Sequence, residues 1–233
     1  MKKALLLSLV LVVAVGLLAG CSKSVYQDGT YTAVSDSTDN GYMEAKVTIA
    51  KDKITAVELI GYDKFAAAKG ESYPWDAYHQ AIEDIPAQMV AENTWDVDGV
   101  AQATGTTEQS KQAAKRALEL ALTEPASTAK YFDGTFMGVS PADARGGITV
   151  VQVTIEGDVI KAVTAKSAQK AEDGSLAFKD ESYPWAEYFE AIEKVPEQIV
   201  EANGVDVDGV AGATGTSTQI KEAVQDALNK ATR

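Results

Sequence analysis

Cysteine is almost absent from this chain: Cys21 is the only one in 233 residues. A structural disulfide is therefore excluded, even in an oxidising compartment. Histidine is as scarce. His79 stands alone, and no carboxylates cluster at ligand spacing. A protein metal site and Ser/His/Asp hydrolysis thus lack the residues to carry them. Positive charge is also in short supply. Lys and Arg number 21 against 34 Asp and Glu, a formal net charge of -13. That balance argues against nucleic acid as a partner, because a phosphate backbone demands clustered cations. Long apolar runs are missing too. Residues 4–18 form an apolar stretch broken by Ser8 and Gly16, shorter than the ~20 residues that span a bilayer. What is present is 45% hydrophobic, enough to bury a sizeable core.

Lys2 and Lys3 precede the apolar stretch, as a basic segment precedes the apolar core of an export signal. The stretch closes on Leu18-Ala19-Gly20-Cys21, which resembles a bacterial lipobox. That resemblance implies cleavage before Cys21. Cys21 would then be the lipidated first residue, holding the mature chain to the outer face of the cell membrane.

The rest of the sequence is written twice. Residues 71–121 and 181–231 align at a constant offset with more than half of their positions identical. ESYPW recurs at Glu71 and Glu181, and DVDGVA at Asp96 and Asp206. Upstream, YQDGTY at Tyr26 answers YFDGTF at Tyr131, and VTIAKDKITAV at Val47 answers VTIEGDVIKAV at Val153. A repeat of that size is a domain, too long for a solenoid unit. The expected division is a signal peptide at 1–20, a first domain at 21–124, a linker at 125–130 and a second domain at 131–233. The joint is small, polar and proline-containing.

Within each unit, β-prone alternation comes first. Val47 and Ile49 alternate with Lys46 and Thr48, and Lys51-Asp52-Lys53 turns the chain toward Ile54, Val57 and Leu59. Helical spacing follows at Trp75, Tyr78, Ile82, Ile85 and Met89, with Pro74 expected at the first helical position. Pro86 predicts either two short helices or one kinked helix. A last helix is expected over residues 107–122, with Lys111 and Lys115 facing out. The predicted class is α+β: two homologous domains, each an antiparallel sheet followed by helices.

The most informative repeat is DGVAQATGTT at residues 98–107 and DGVAGATGTS at 208–217. Thr104 and Thr214 sit between small neighbours, Ala103 and Gly105, Ala213 and Gly215, so a large group can reach the hydroxyl. Thr106-Thr107 and Thr216-Ser217 are placed to cap the following helix. Its first-turn N–H groups and about half a positive charge would face the loop, which suits a phosphate. Asp98 and Asp208 open the motif and are expected to shape the loop by hydrogen bonding. Tyr73, Trp75, Tyr183 and Trp185, with nearby Tyr78 and Tyr188, could stack on an aromatic cofactor, although core packing is the more frequent use. His79, whose counterpart is Phe189, is expected to pack.

The pattern resembles the flavin-attachment motif of the FMN-binding domain family. That family includes the C subunit of sodium-pumping NADH:quinone reductases and the G subunit of the Rnf complex. The resemblance implies that Thr214 and Thr104 each carry FMN through a phosphoester bond, made from FAD by a magnesium-dependent flavin transferase. It implies two covalent FMN groups, with Gly212 in the glycine position of the motif and Gln102 replacing that glycine in the first copy. Gln102 should then lower occupancy at Thr104. Glu71 and Glu181 resemble an acidic residue near the flavin in some members. A lipobox followed by two such domains resembles surface lipoproteins of flavin-based extracellular electron transfer. The implied partners are a membrane quinone-linked dehydrogenase as donor and an external acceptor. On that reading the chain is an electron carrier and the transferase's substrate, with no turnover of its own. The alternatives are a surface lipoprotein that binds flavin or another ligand non-covalently, and a structural surface protein.

Overall fold

Alternating apolar residues make the sheets. A computed structural model describes residues 23–233; Cys21 and the expected signal segment lie outside the described residues. β1 (Gly29–Val34), β2 (Tyr42–Ala50) and β3 (Lys53–Tyr62) form an antiparallel meander in that order. On β2, Ala45, Val47 and Ile49 are buried while Lys46 is exposed, as period-two alternation requires. Two helices then cover one face of the sheet. α1 (Asp76–Glu92) lies on β3, and α2 (Thr104–Leu120) on β1 and β2. α1 buries Tyr78, Ala81, Ile85 and Met89, a stripe at i, i+3, i+7 and i+11 that keeps one face on the sheet.

The second unit repeats this plan and adds to it. β4 (Gly134–Val139), β5 (Ile148–Glu156) and β6 (Val159–Lys170) match the first meander, with the same register shift on the middle strand, between Thr48 and Ile49 and between Thr154 and Ile155. A fourth strand, β7 (Leu176–Phe178), pairs with the end of β6. α3 (Ala186–Ala202) and α4 (Thr214–Ala231) cover the sheet as α1 and α2 do. Each first helix ends on an asparagine in the left-handed region, Asn93 at φ 57 and Asn203 at φ 50. Their side-chain oxygens accept from Ile54 N and Ile160 N, both at 2.8 Å, and fasten the helix end to the adjoining strand.

Three sequence expectations change. Pro74 lies outside the helix, because Trp75 is the extended N-cap residue at φ -126 and helical hydrogen bonding starts after it. Pro86 and Pro196 sit inside uninterrupted 17-residue helices. The stripe around each proline is packed against the sheet, which outweighs the one hydrogen bond that proline removes. The last helix begins three residues earlier than expected, at Thr104, with Ala103 as N-cap residue.

The two units share a core. Val34 and Tyr42 of the first are buried in the apolar cluster of the second, which includes Phe132, Phe136, Val151 and Ala227. Tyr42 stacks on Tyr62 with centroids 4.7 Å apart, and Lys230 of α4 lies 5.0 Å from the Tyr42 ring. Burial, with Tyr62 and Asp226 nearby, pushes the Tyr42 hydroxyl far above the ordinary phenol range, so it stays protonated. Arg116 of α2 bridges the units. Its guanidinium donates to Val34 O at 2.9 Å, Asp36 Oδ1 at 2.7 Å and Asp133 O at 2.8 Å, over the rings of Phe132 and Phe136. Gly134, at φ 144, lets this contact close, since a Cβ there would fall 2.0 Å from Asp36 Oδ1 and 2.6 Å from Arg116. Ser37 N to Thr135 O at 2.8 Å and Arg233 Nη1 to Glu119 Oε2 at 3.0 Å complete the clasp.

Candidate functional site

The repeated motif forms an irregular loop pinned from both ends. Val97 and Val100 are buried on the core side, as is Val210 in the second copy. Ala103 and Ala213 are fully buried N-cap residues, held by hydrogen bonds from their N–H groups to Val100 O and Val210 O. The hydroxyls expected to cap the helix do a different job. Thr107 Oγ1 accepts from Val100 N at 3.3 Å, and Ser217 Oγ accepts from Val210 N at 3.0 Å. They reach back from the first helical turn and tie the loop to it. Thr106 and Thr216 are buried there beside them, and neither helix has a side-chain cap bond.

This leaves Thr104 and Thr214 at the first helical position, exposed, with exposed Gly105 and Gly215 after them. The threonines were expected in the loop before the helix; they are its first residues. The first intrahelical donors are Thr107 N and Ser217 N, bonded to Ala103 O at 2.8 Å and Ala213 O at 2.9 Å. The N–H groups of residues 104–106 and 214–216 precede that first bond and have no carbonyl one turn back. A phosphate on either threonine would meet them and the positive end of the helix.

Asp98 and Asp208 do not shape the loop as expected. Both are exposed, and among the described residues neither side chain makes a hydrogen bond; Thr107 and Ser217 hold the loop instead. Glu71 and Glu181 are exposed on the turn before α1 and α3. The aromatics divide. Tyr78 and Tyr188 are core; Tyr73 and Tyr183 are half-buried edge-on against them; Trp75 and Trp185 are exposed. His79 is half-buried, with Nε2 2.7 Å from Tyr73 O, a packing position.

In the second unit a cavity of about 700 Å³ opens beside Gly215 and Thr216, within the range of ~300–1,000 Å³ typical of ligand sites. Tyr183 and Trp185 stand on one side. The loop carrying Asp143 and Arg145 and the β6–β7 hairpin with Lys170 form others. Gln219 fixes that loop by donating to Gly147 O at 3.2 Å and Pro141 O at 3.4 Å. Gln109 does the same in the first unit, to Gly41 O and Asp36 O. The loop and the hairpin were not found by sequence reasoning, although Gln109 and Gln219 recur at matched positions. In the first unit the hairpin is replaced by a turn at Asp63–Ala66, and a hollow of about 580 Å³ lies farther along α2, against Trp95 and Lys111.

The two motif loops also differ where sequence expected it. Gln102 adopts φ 64 and Gly212 φ 80. A Cβ on Gly212 would lie 3.1 Å from Glu187 Cγ. In the first unit Ala77 stands in the place of Glu187, so Gln102 meets a smaller neighbour but keeps its left-handed strain. Such a conformation costs about 1–2 kcal/mol for a residue with a Cβ, and glycine's extra freedom when unfolded takes back about 0.5–1 kcal/mol. Gln102→Gly is therefore expected to stabilise the chain by up to about 1 kcal/mol. Urea unfolding measures this, and a lower midpoint than wild type would remove the strain argument.

Each unit of this duplicated α+β fold thus presents an exposed hydroxyl at the mouth of a helix, where a phosphate is favoured. The chain belongs to the FMN-binding domain family, which matches residues 40–119 and 145–229, and flavin binding follows from that membership. It is 33% identical over 105 residues to an uncharacterized protein of Treponema pallidum (strain Nichols). That stretch is 45% of this chain and 25% of the relative, so the chain spans about a quarter of that protein. A crystal structure of a Clostridium perfringens protein, 18% identical, superposes with a TM-score of 0.36 over 41% of this chain and 88% of that one. The residues present fit FMN in the second unit. A Cβ built on Gly215 meets nothing within 4 Å, the phosphate position has free donors, and the cavity beside it offers aromatic and cationic walls.

Proposed function

We infer that this protein is an electron carrier on the outer face of the cell membrane, lipidated at Cys21, with FMN esterified to Thr214 and Thr104. The observation that carries this reading is the pair of exposed threonines at the first helical position, each among N–H groups that precede the first helical hydrogen bond. Bound FMN would supply reversible electron transfer. Thr214 and Thr104 would tether it, the first-turn N–H groups would hold its phosphate, and Tyr183 and Trp185 would wall the ring from water. Esterification forms a bond from threonine Oγ to the FMN phosphorus of FAD, breaks the pyrophosphate bond and releases AMP and the hydroxyl proton. Among the described residues no carboxylate or imidazole hydrogen-bonds to either threonine, so the transferase supplies the base.

Exposure to an open extracellular volume gives the covalent bond its purpose. A cofactor held at micromolar affinity, about 8 kcal/mol, would be lost by dilution. A tether keeps it at an effective concentration of roughly millimolar. Electrons would arrive from a membrane quinone-linked dehydrogenase and leave to an external acceptor or another carrier. The test is the intact mass of protein exported by its own host. The expected species begins at Cys21, carries lipid there, and bears FMN at Thr214 on nearly every molecule and at Thr104 on a smaller share. Tryptic peptides bearing no flavin at either threonine would overturn the reading.

A further inference from the structure

Lys179 contributes to the cavity wall beside Gly215 and Thr216. Its ammonium Nζ lies 4.2 Å from the centroid of Tyr183 and 4.7 Å from that of Tyr188. The lysine is half-buried, and among the described residues no carboxylate lies within salt-bridge distance of it. The nearest acid in sequence, Asp180, is engaged instead by Ser182. Both ends of this arrangement are fixed. Lys179 N donates to Ser167 O at 2.9 Å, and Ser167 N donates to the Tyr188 hydroxyl at 3.3 Å. The first unit repeats it: Lys69 Nζ lies 4.8 Å from the Tyr73 centroid and 5.4 Å from that of Tyr78, with Lys69 N bonded to Gly61 O at 2.7 Å.

Of the three cations that line this cavity, Lys179 is the one seated over aromatic rings. A lysine held between ring faces and a cavity, with no carboxylate, is a fixed positive charge presented to whatever fills that cavity. The aromatic faces stabilise the ammonium electrostatically without neutralising it. Partial burial weakens solvent screening of its field.

We propose that Lys179 is the residue that sets the reduction potential of the flavin on Thr214, a proposal that rests on the flavin attachment inferred above. Two-electron reduction takes up two electrons and one proton, from a chemical reductant or a membrane hydroquinone, and leaves the ring with one negative charge. Lys179 keeps its own proton throughout. Its charge favours the anionic reduced ring over the neutral oxidised one and so raises the potential. Lys170 and Arg145 border the same cavity without this clamp of rings and are freer to swing into solvent.

The test uses the full mature chain, co-expressed with a flavin transferase in a Thr104→Val background, so that only the flavin on Thr214 is titrated. Lys179→Met keeps the apolar stem over Tyr183 and removes the charge. It is expected to shift the reduced-to-oxidised equilibrium tenfold to a hundredfold toward the oxidised form, about 30–60 mV lower for a two-electron couple. Lys179→Arg restores at least half of that shift, and Lys170→Met moves the equilibrium less than threefold. A potential for Lys179→Met within twofold of the parent equilibrium overturns the proposal. So does an equal shift in Lys170→Met, which would make the effect one of general surface charge. If the methionine variant is poorly folded by circular dichroism, Lys179→Gln is titrated in its place and judged by the same limits. Absence of flavin from the parent chain would sink the attachment reading and this proposal with it. Flavin present at an unmoved potential would remove Lys179 alone.

Discussion

Thr104→Val combined with Thr214→Val is expected to leave a folded, colourless protein after co-expression with a flavin transferase. Each single variant should keep one flavin, and Thr104→Val should keep more colour than Thr214→Val. The colour that remains in the single variants should survive denaturation and gel filtration, because a phosphoester does not depend on the fold. Both threonines are exposed at the first turn of their helices, so losing the hydroxyl costs little in packing. Circular dichroism and unfolding midpoints should match wild type. A double variant that stays yellow through denaturation would place the bond on another residue. A wild type whose flavin is released by denaturation would favour the non-covalent alternative. The inequality between the sites rests on local geometry. Gln102 at φ 64 presents a side chain where the second copy has Gly212, beside the threonine that a transferase must reach.

Arg116→Met is expected to have the largest effect on stability. The side chain is 7% exposed and donates to Val34 O and the Asp36 carboxylate in its own unit and to Asp133 O across the joint. Charged hydrogen bonds contribute roughly 1.5–3 kcal/mol each, but the acceptors left behind recover part of that through water. The partner Asp36 is 43% exposed and can rehydrate. A net loss of about 2–4 kcal/mol follows, seen as a lower urea midpoint. Because the contact joins the units, the single transition expected of wild type should broaden or split, with tryptophan fluorescence separating from circular dichroism. Asp36→Ala should cost less than half as much. An Arg116→Met midpoint equal to wild type would mean that the shared apolar core alone holds the halves together.

The parts of this architecture governed by near neighbours were legible in sequence. Val47 and Ile49 alternate and the strand follows. Tyr78, Ile85 and Met89 mark the buried stripe of α1, and the repeat made each inference for one unit an inference for the other. The threonine motif was also legible, because small residues and hydroxyls at a helix start announce themselves. What escaped depended on distant contacts. Arg116 reads as another solvent-facing cation on α2, since its partners Val34, Asp36 and Asp133 are remote in the chain. Its counterpart, Asp226, reaches the matching strand end, where it accepts from Val139 N and pairs with Lys230 of its own helix. Lys179 carries no signal in the sequence, because only the fold brings Tyr183 and Tyr188 beneath it. The role given to Asp98 and Asp208 failed for a related reason. Asp is a common turn-shaper, but Thr107 and Ser217, in the first turn of the helix, satisfied the loop donors instead. Pro86 left two readings open, and the sheet that α1 packs against decides for one continuous helix.

Gene duplications often leave copies that can be lost, shuffled or expressed singly. Here Tyr42 and Val34 of the amino-terminal copy are covered by side chains of the carboxy-terminal one. Deleting the later copy would bare an aromatic, apolar surface, and deleting the earlier one would uncover Phe132 and Phe136. Neither copy retains the self-sufficient exterior of a lone ancestor. Each half therefore serves as part of the other's interior, and separating them costs both.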